Sequence, residues 1–339
     1  MASEPSKLRV AVFGSTTMGT ALSHLIASAG HTCTLLTPDA VVVESINTQH
    51  CHPMYFKNAP IHPAVRASIA ITEEISQAEL VVMAVPSHAM RAASQQVGPL
   101  IQPSQSVLSS TKGFEPGTCK LMTHILREES CTEHIGTISG PNMQSYMVNG
   151  LPTTLVIASD SAQMRQHGWQ AFSSPTINVR TDAGMASYEY LSGLKNIVGM
   201  EVGMVQGLGL GTNFQGLVAA EGMKELDRLL TKMGLNSQPL YDVAGIADIF
   251  LVCTSQFALN YHMAVQIGEG EMLEDLLAPI KARGEMAEGV ESLRVGLELA
   301  KQYQQPMPLL EAAHALAFRT RPVNKEEFIE AAFKRTTVR

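Results

Sequence analysis

Positive charge is scarce in this chain. Lysine and arginine number 24 against 31 aspartates and glutamates, for a formal net charge of −7 over 339 residues. Such a balance leaves no basic footprint for nucleic acid or for an anionic membrane. Phosphate recognition therefore has to be local. Cysteine is sparse and unpatterned: Cys33, Cys51, Cys119, Cys131 and Cys253 are odd in number, widely spread and without a CxxC spacing. That excludes a disulfide framework and suits a reducing cytoplasm. Long apolar runs are absent too. The opening MASEPSKLRVAVFG has no extended h-region, and no run reaches the ~18 apolar residues of a membrane span. The expectation is a cytoplasmic, soluble protein with no membrane insertion. With 45% hydrophobic and 16% charged residues, it has the composition of an ordered globular chain, long enough for two domains.

The first half alternates short β-rich runs with helical periodicity. Leu8 to Phe13 reads as a strand ending at Gly14, and the apolar spacing of Ala21, Leu22, Leu25 and Ile26 reads as the helix after it, stopped by Gly30. Strand, glycine turn, helix is the setting of a dinucleotide fingerprint. Against G-x-G-x-x-G, the turn reads Gly14-Ser15-Thr16-Thr17-Met18-Gly19. The first and third glycines are present, for the tight turn and for close helix packing. Thr16 replaces the second; either the loop shifts to admit its Cβ, or its hydroxyl bonds a phosphate oxygen. Cys33 to Leu36 is the second strand. Asp39 beyond it either bonds a ribose 2′-OH, which leans the cofactor towards NAD over NADP, or caps the helix of Ala40 to Ile46.

Further strands are expected at Leu80 to Val85, Ser106 to Thr111, Ile135 to Gly140 and Thr153 to Ala158. Alternation of these with helices predicts a mostly parallel, doubly wound, Rossmann-like sheet over residues 1–183. Ligands of such sheets bind beyond the carboxyl ends of the strands, where Pro86, Ser87, Lys112 and Asn142 fall. The triplet His50-Cys51-His52 carries metal-binding residue types. Adjacent residues converge poorly on one ion, however, and no second ligand cluster accompanies them, so no metal is assigned.

The segment Ser192 to Asn213, SGLKNIVGMEVGMVQGLGLGTN, sets Lys195 in an otherwise apolar, charge-poor run. A lysine there is desolvated and needs a partner or a task. The glycines at 207, 209 and 211 follow no strand and read as a helix break. From about Ala183 strand signals stop, and residues 184–339 read as an all-α domain with helices over Asn213 to Met233, Met272 to Gln302 and Lys325 to Lys334. Asp248, in AGIAD ahead of an apolar run, is either the partner of Lys195 or a helix N-cap.

These residues resemble a known family. GSTTMGTAL, AVPSHAMR, TKGFEPGT, SGPNMQSYMVNGLPTTLVIAS, GLKN, GLGLGTN, AGIADIFLVCTS and AEGVES, in this order, are similar to NAD(P)-dependent glycerol-3-phosphate dehydrogenases over nearly the whole chain. The resemblance implies a homodimeric, two-domain enzyme with a 6-phosphogluconate dehydrogenase-like helical C-terminal architecture. Its implied reaction is the reversible NAD(P)H-dependent reduction of dihydroxyacetone phosphate to glycerol 3-phosphate. It implies Lys195 as the general acid and base, oriented by Asp248, with Lys112, Asn196 and Asn260 on the substrate. Gly14, Ser15, Thr16, Thr17, Met18, Gly19, Pro86, Ser87, Lys112 and Glu288 are implied for the cofactor.

The chain also departs from that family. Leu259 and Tyr261 stand where the family has arginines, the first of which grips the substrate phosphate, and Val252 stands for a threonine. Glu221 replaces a further arginine, and Gln206 and Thr212 replace aspartates. Loss of a bidentate phosphate clamp predicts weaker hold on a phosphorylated substrate. Two alternatives follow: the same hydride chemistry on a different, non-phosphorylated hydroxy or keto compound, or a non-catalytic dinucleotide-binding protein.

Overall fold

The computed structural model describes residues 7–56, 59–255, 258–282, 286–321 and 323–333. It divides into two compact units, the first ending at Glu189 and the second starting at Tyr190.

The first unit is built on an eight-stranded sheet in the order β3-β2-β1-β4-β5-β6-β7-β8. Its strands are β1 (Arg9–Phe13), β2 (Thr32–Leu36), β3 (Val65–Ser68), β4 (Leu80–Met83), β5 (Ser106–Ser109), β6 (Ile135–Ser139), β7 (Thr153–Ala158) and β8 (Ile177–Asp182). All neighbours run parallel except β6 and β7, which are antiparallel. The connecting helices are α1 (Thr17–Ser28), α2 (Ala40–Gln49), α3 (Ile71–Gln77), α4 (Met90–Val97), α5 (Met122–Glu129), α6 (Gln144–Val148) and α7 (Ala162–Phe172). Side-chain alternation along each strand feeds two cores. Val10 and Val12 turn to the face covered by α1, α2, α6 and α7, while Ala11 and Phe13 turn to the face covered by α3, α4 and α5. Strand order reverses between β1 and β4, and at this point a doubly wound sheet opens its ligand crevice.

Two strands are not legible in the sequence. β3 carries an arginine and a serine in four residues, and β8 is buried only at its first and third positions. Both lie at sheet edges, where burial does not impose an apolar pattern. The strands read from Leu80 to Val85 and Ser106 to Thr111 are shorter, ending at Met83 and Ser109. The apolar residues beyond Met83 belong to the turn leaving the sheet.

The second unit begins inside α8 (Met185–Leu194), where the division falls. It comprises α9 (Asn196–Gly207), α10 (Thr212–Lys232), α11 (Asp248–Thr254), α12 (Leu259–Glu269), α13 (Leu273–Ala282), α14 (Glu288–Gln302), α15 (Pro308–Phe318) and α16 (Lys325–Phe333). Every residue of α9 from Asn196 to Val205 is buried, as expected of a helix apolar on all sides. α10, α11, α12, α14 and α15 pack around it.

Gly199, Gly203 and Gly207 recur at four-residue spacing and form one face of α9. A Cβ on Gly203 would lie 2.6 Å from the Tyr261 carbonyl oxygen, and one on Gly207 2.1 Å from that of Val265. The glycines thus let the backbones of α9 and α12 touch. Past Gly207 the chain turns through Gly209 and Gly211 at φ +70° and +79°, which is the expected break. The single helical run read from Met272 to Gln302 is corrected to two helices. Pro279 lies inside α13, which ends at Ala282, and Ala287 is extended (φ −85°, ψ 88°) ahead of a fresh start at Glu288. Lys334, the expected end of the last helix, lies outside the described residues.

Among the described residues no single helix is long and apolar enough to cross a membrane. None forms a group of three or more His, Cys, Asp or Glu able to hold a metal ion.

Candidate active site

In the first unit the glycine turn closes on the end of β4. Gly14 has φ +112°, and a Cβ there would lie 2.6 Å from the Ala84 carbonyl oxygen; one on Gly19 would lie 1.9 Å from that of Gly14. Both glycines are therefore required by close backbone approach. Thr16 takes the second fingerprint position without disturbing the turn. Its hydroxyl donates to the Ala84 carbonyl at 2.8 Å and accepts from the Gly19 N–H at 3.1 Å, capping α1. The expectation that this hydroxyl could bond a phosphate oxygen gives way to a structural role, because both its functions are already committed. What the turn offers a ligand is the N-terminus of α1, beginning at Thr17 and Met18, a natural seat for a pyrophosphate. A nicotinamide dinucleotide fits these residues. Asp39 caps α2, its Oδ1 accepting from the Val41 N–H at 2.9 Å.

The ends of β4, β5 and β6 are tied to one another. The Thr111 hydroxyl donates to the Val85 carbonyl at 2.6 Å, and Lys112 Nζ donates to the Gly140 carbonyl at 3.1 Å. Asn142 Nδ2 donates to the Ser139 carbonyl at 3.1 Å. Ser87, just beyond Pro86, is buried, and its side chain lies 3.7 Å from the position a Gly113 Cβ would take. Lys112 and Asn142 thus meet at the Gly140 turn. Asn142 Oδ1 is buried and has no hydrogen-bond partner among the described residues. An orphaned buried acceptor at a strand end is a place for a ligand donor.

In the second unit Lys195 lies at the junction of α8 and α9. It is 5% exposed, and Asp248 is 1% exposed; Lys195 Nζ stands 2.6 Å from Asp248 Oδ1. Asp248 is the first residue of α11 rather than its N-cap, and follows a π-helical turn at Val243–Ala247. Such turns gather at functional sites. The junction is pinned where Ser292 of α14 donates its hydroxyl to the Gly193 carbonyl at 2.6 Å. Asn196, next to the lysine, is buried. Asn260 is half-buried, and its Oδ1 accepts from the Gly289 N–H at 3.0 Å at the start of α14. It therefore holds the turn beside Glu288, an exposed residue in the first turn of that helix.

The substituted positions are also placed. Leu259 is 42% exposed at the start of α12, and Val252 packs on Gly199. The Tyr261 hydroxyl bonds Gln215 Nε2 at 3.2 Å, and Glu221 pairs with Lys224 at 2.8 Å.

One group near the lysine is not singled out by the sequence. Glu201 of α9 is fully buried, and neither carboxyl oxygen has a hydrogen-bond partner among the described residues. Burial and the neighbouring Glu225 carboxyl both push its pKa well above the ordinary value. Glu225 is raised as well, mainly by burial, although it accepts from the Leu309 and Leu310 N–H groups at 3.0 and 3.3 Å. Cys253 feels the same site: burial, then Glu201, push its thiol up to about 12, and Lys195 pulls the other way. The signal available in the sequence is a second charged residue in the apolar run that holds Lys195.

The fold and these groups define a dinucleotide-binding α/β unit joined to a helical unit that buries a lysine–aspartate pair. Comparison with known proteins narrows the class. Residues 9–165 match the family model for the NAD-dependent glycerol-3-phosphate dehydrogenase N-terminus, and residues 185–326 match that for its C-terminus. The chain belongs to the NAD-dependent glycerol-3-phosphate dehydrogenase family. It is 30% identical over 321 residues to the glycerol-3-phosphate dehydrogenase [NAD(P)+] of Macrococcus caseolyticus, covering 94% of this chain and 96% of that protein. It is 32% identical over 313 residues to the enzyme of the same name from Myxococcus xanthus, covering 91% and 92%. A solved glycerol-3-phosphate dehydrogenase from Coxiella burnetii shares the fold, with a TM-score of 0.86 at 23% identity over 98% of this chain and 100% of that one. The Plasmodium falciparum enzyme does so too, with a TM-score of 0.89 at 18% identity over 98% and 97%.

Proposed function

We propose that this chain reduces dihydroxyacetone phosphate reversibly to glycerol 3-phosphate, using NADH or NADPH, with Lys195 as the proton donor and acceptor. The observation that carries the reading is the buried Lys195–Asp248 pair at 2.6 Å, in a family whose named members are dehydrogenases of this substrate. When bound, the cofactor supplies or accepts the hydride. The chain supplies position, field and a proton. Hydride arrival at the carbonyl carbon leaves a negative oxygen; the Lys195 ammonium stabilises it and transfers its proton, which yields the alcohol. Asp248 holds the ammonium in place and keeps it charged in a site closed to water. In the reverse direction the neutral amine takes the hydroxyl proton.

Residues 1–183 bind the cofactor and add Lys112 to the substrate residues, and residues 184–339 carry the other substrate residues and Lys195. Gly14 to Gly19, Pro86 and Ser87 line the cofactor side, and Glu288 contributes to it. Lys112, Asn196 and Asn260 serve the substrate. The working form is a cytoplasmic homodimer. Asp39 favours NAD.

A second reading keeps the chemistry and changes the far end of the substrate. Apolar Leu259 and Val252, and a tyrosine engaged by Gln215, give no fork for a phosphate. Comparison of dihydroxyacetone phosphate with unphosphorylated dihydroxyacetone separates the two. The first reading expects kcat/KM for the phosphate ester to be higher by about 10²-fold or more, the worth of a charge-assisted phosphate contact or two. Equal values, or a preference for the uncharged ketone, would move the assignment to the second.

A further inference from the structure

The His50-Cys51-His52 triplet has no part in the reaction above, and its geometry assigns it to the dinucleotide turn. His50 closes α2 in the left-handed conformation (φ 52°), its N–H bonded to the Ile46 carbonyl. The Ser45 hydroxyl donates to the Cys51 carbonyl at 2.9 Å. The chain is thereby turned back so that His52 is 2% exposed, its ring stacked on Tyr55 with centroids 4.6 Å apart.

His52 Nδ1 accepts the N–H groups of Met54 and Tyr55, both at 3.2 Å. Two donors on Nδ1 place the ring proton on Nε2. Nε2 is buried and makes no hydrogen bond of ordinary geometry among the described residues, although the Ser15 backbone is within weak bonding reach of the ring. The Ser15 backbone and the Asp39 carboxylate are near enough to favour the charged ring, although burial dominates and lowers its pKa. A buried donor that the Ser15 backbone engages only weakly, beside the turn that receives a pyrophosphate, is poised to be fully satisfied when that turn settles on its ligand.

We propose that His52 is a positioning residue of the dinucleotide turn: its Nε2–H tightens on the Ser15 carbonyl as cofactor seats, and so fixes the Ser15–Thr16 peptide. A trans peptide carries its C=O and the following N–H on opposite sides. Drawing the Ser15 carbonyl towards His52 therefore turns the Thr16 N–H away from the protein, to the ligand side. Ser15 is already anchored on its other side, its hydroxyl donating to Thr37 Oγ1 at 2.8 Å. This role rests on the reading of the first unit as a nicotinamide dinucleotide site.

The test is calorimetric titration of NADH and of NADPH into the full chain and two variants. His52→Asn keeps an acceptor for the Met54 and Tyr55 N–H groups but does not reach Ser15. His52→Gln carries its amide N–H to the Nε2 position. The Asn variant should bind the preferred dinucleotide about tenfold more weakly, the loss of one hydrogen bond. Its kcat at saturating cofactor should be unchanged, its melting temperature should fall only by the cost of the lost ring stacking, alike in both variants, and the Gln variant should recover most of the affinity. Unaltered affinity in the Asn variant overturns the proposal. So does a joint fall of affinity, kcat and melting temperature, which would make His52 an ordinary residue of the turn. Failure of the unaltered protein to bind either dinucleotide would remove the functional reading itself, and this role with it.

Discussion

Lys195→Met lowers kcat by about 10²–10⁴-fold, the worth of a positioned general acid, and leaves the Kd for NADH and NADPH within about twofold. Methionine keeps the length and apolar stem of lysine and removes only the ammonium. The reaction then lacks both the charge that stabilises the developing alkoxide and the proton that quenches it. The substitution has a second effect, on stability. Asp248 is 1% exposed and paired with Lys195 at 2.6 Å; removing one member of a buried pair destabilises by about 3–5 kcal/mol. The double variant Lys195→Met, Asp248→Asn relieves that charge and should regain stability without regaining turnover. Steady-state kinetics, dinucleotide titration and thermal melting of both variants separate the effects. A single variant that kept a large share of the wild-type kcat would place the proton donor elsewhere.

Glu201→Gln raises stability in alkaline solution and changes it little in acid. The folded protein holds Glu201 and Glu225 as buried neighbours with pKa values raised above those of the unfolded chain. Below the unfolded value both states are protonated and nothing is lost. As pH rises past it, the unfolded chain releases protons that the folded chain retains, so folding loses about 1.4 kcal/mol per pH unit for each retained proton, until the folded pKa is passed. The substituted amide would occupy the same space with no proton to retain. The gain should reach about 2 kcal/mol or more near pH 8 and fall towards zero near pH 5. Arg228, which lowers the Glu225 pKa, and Glu311, which raises it, lie on α10 and α15 and remain in both proteins. Buried Glu189, raised to about 7 mainly by burial, adds the same slope to both and cancels in the difference. Urea unfolding at the two pH values reads the effect directly. A variant less stable than the parent near pH 8 would mean that Glu201 is ionised and paired in the fold.

The parts of the molecule legible in the sequence are those where one interaction dominates. A fully buried strand such as β4 announces itself by an apolar run, and Gly14 and Gly19 by backbone approach that no other residue allows. The edge strands β3 and β8 carry no such mark, since exposed edges tolerate Arg66, Arg180 and Asp182. The break between α13 and α14 is hidden because apolar periodicity runs on across it. Lys195 is visible as a charge in an apolar run, yet Glu201, six positions on, reads as part of the same helix wall. Pairing of two carboxyls across α9 and α10 is a tertiary fact, invisible to a window on one helix. The same holds for His52, whose neighbours Ser15 and Asp39 come from other turns, and for Asn142, whose orphaned oxygen exists only once Ser139 has taken the amide.

The central claim, that the chain exchanges hydride between a nicotinamide dinucleotide and dihydroxyacetone phosphate through Lys195, is tested most directly by following products. Purified protein is mixed with dihydroxyacetone phosphate and either NADH or NADPH, and glycerol 3-phosphate is quantified against oxidised cofactor. The account predicts saturable formation of glycerol 3-phosphate, one equivalent for each cofactor oxidised, and its disappearance in Lys195→Met. Tight cofactor binding without glycerol 3-phosphate, or equal product from the Lys195→Met protein, would contradict it.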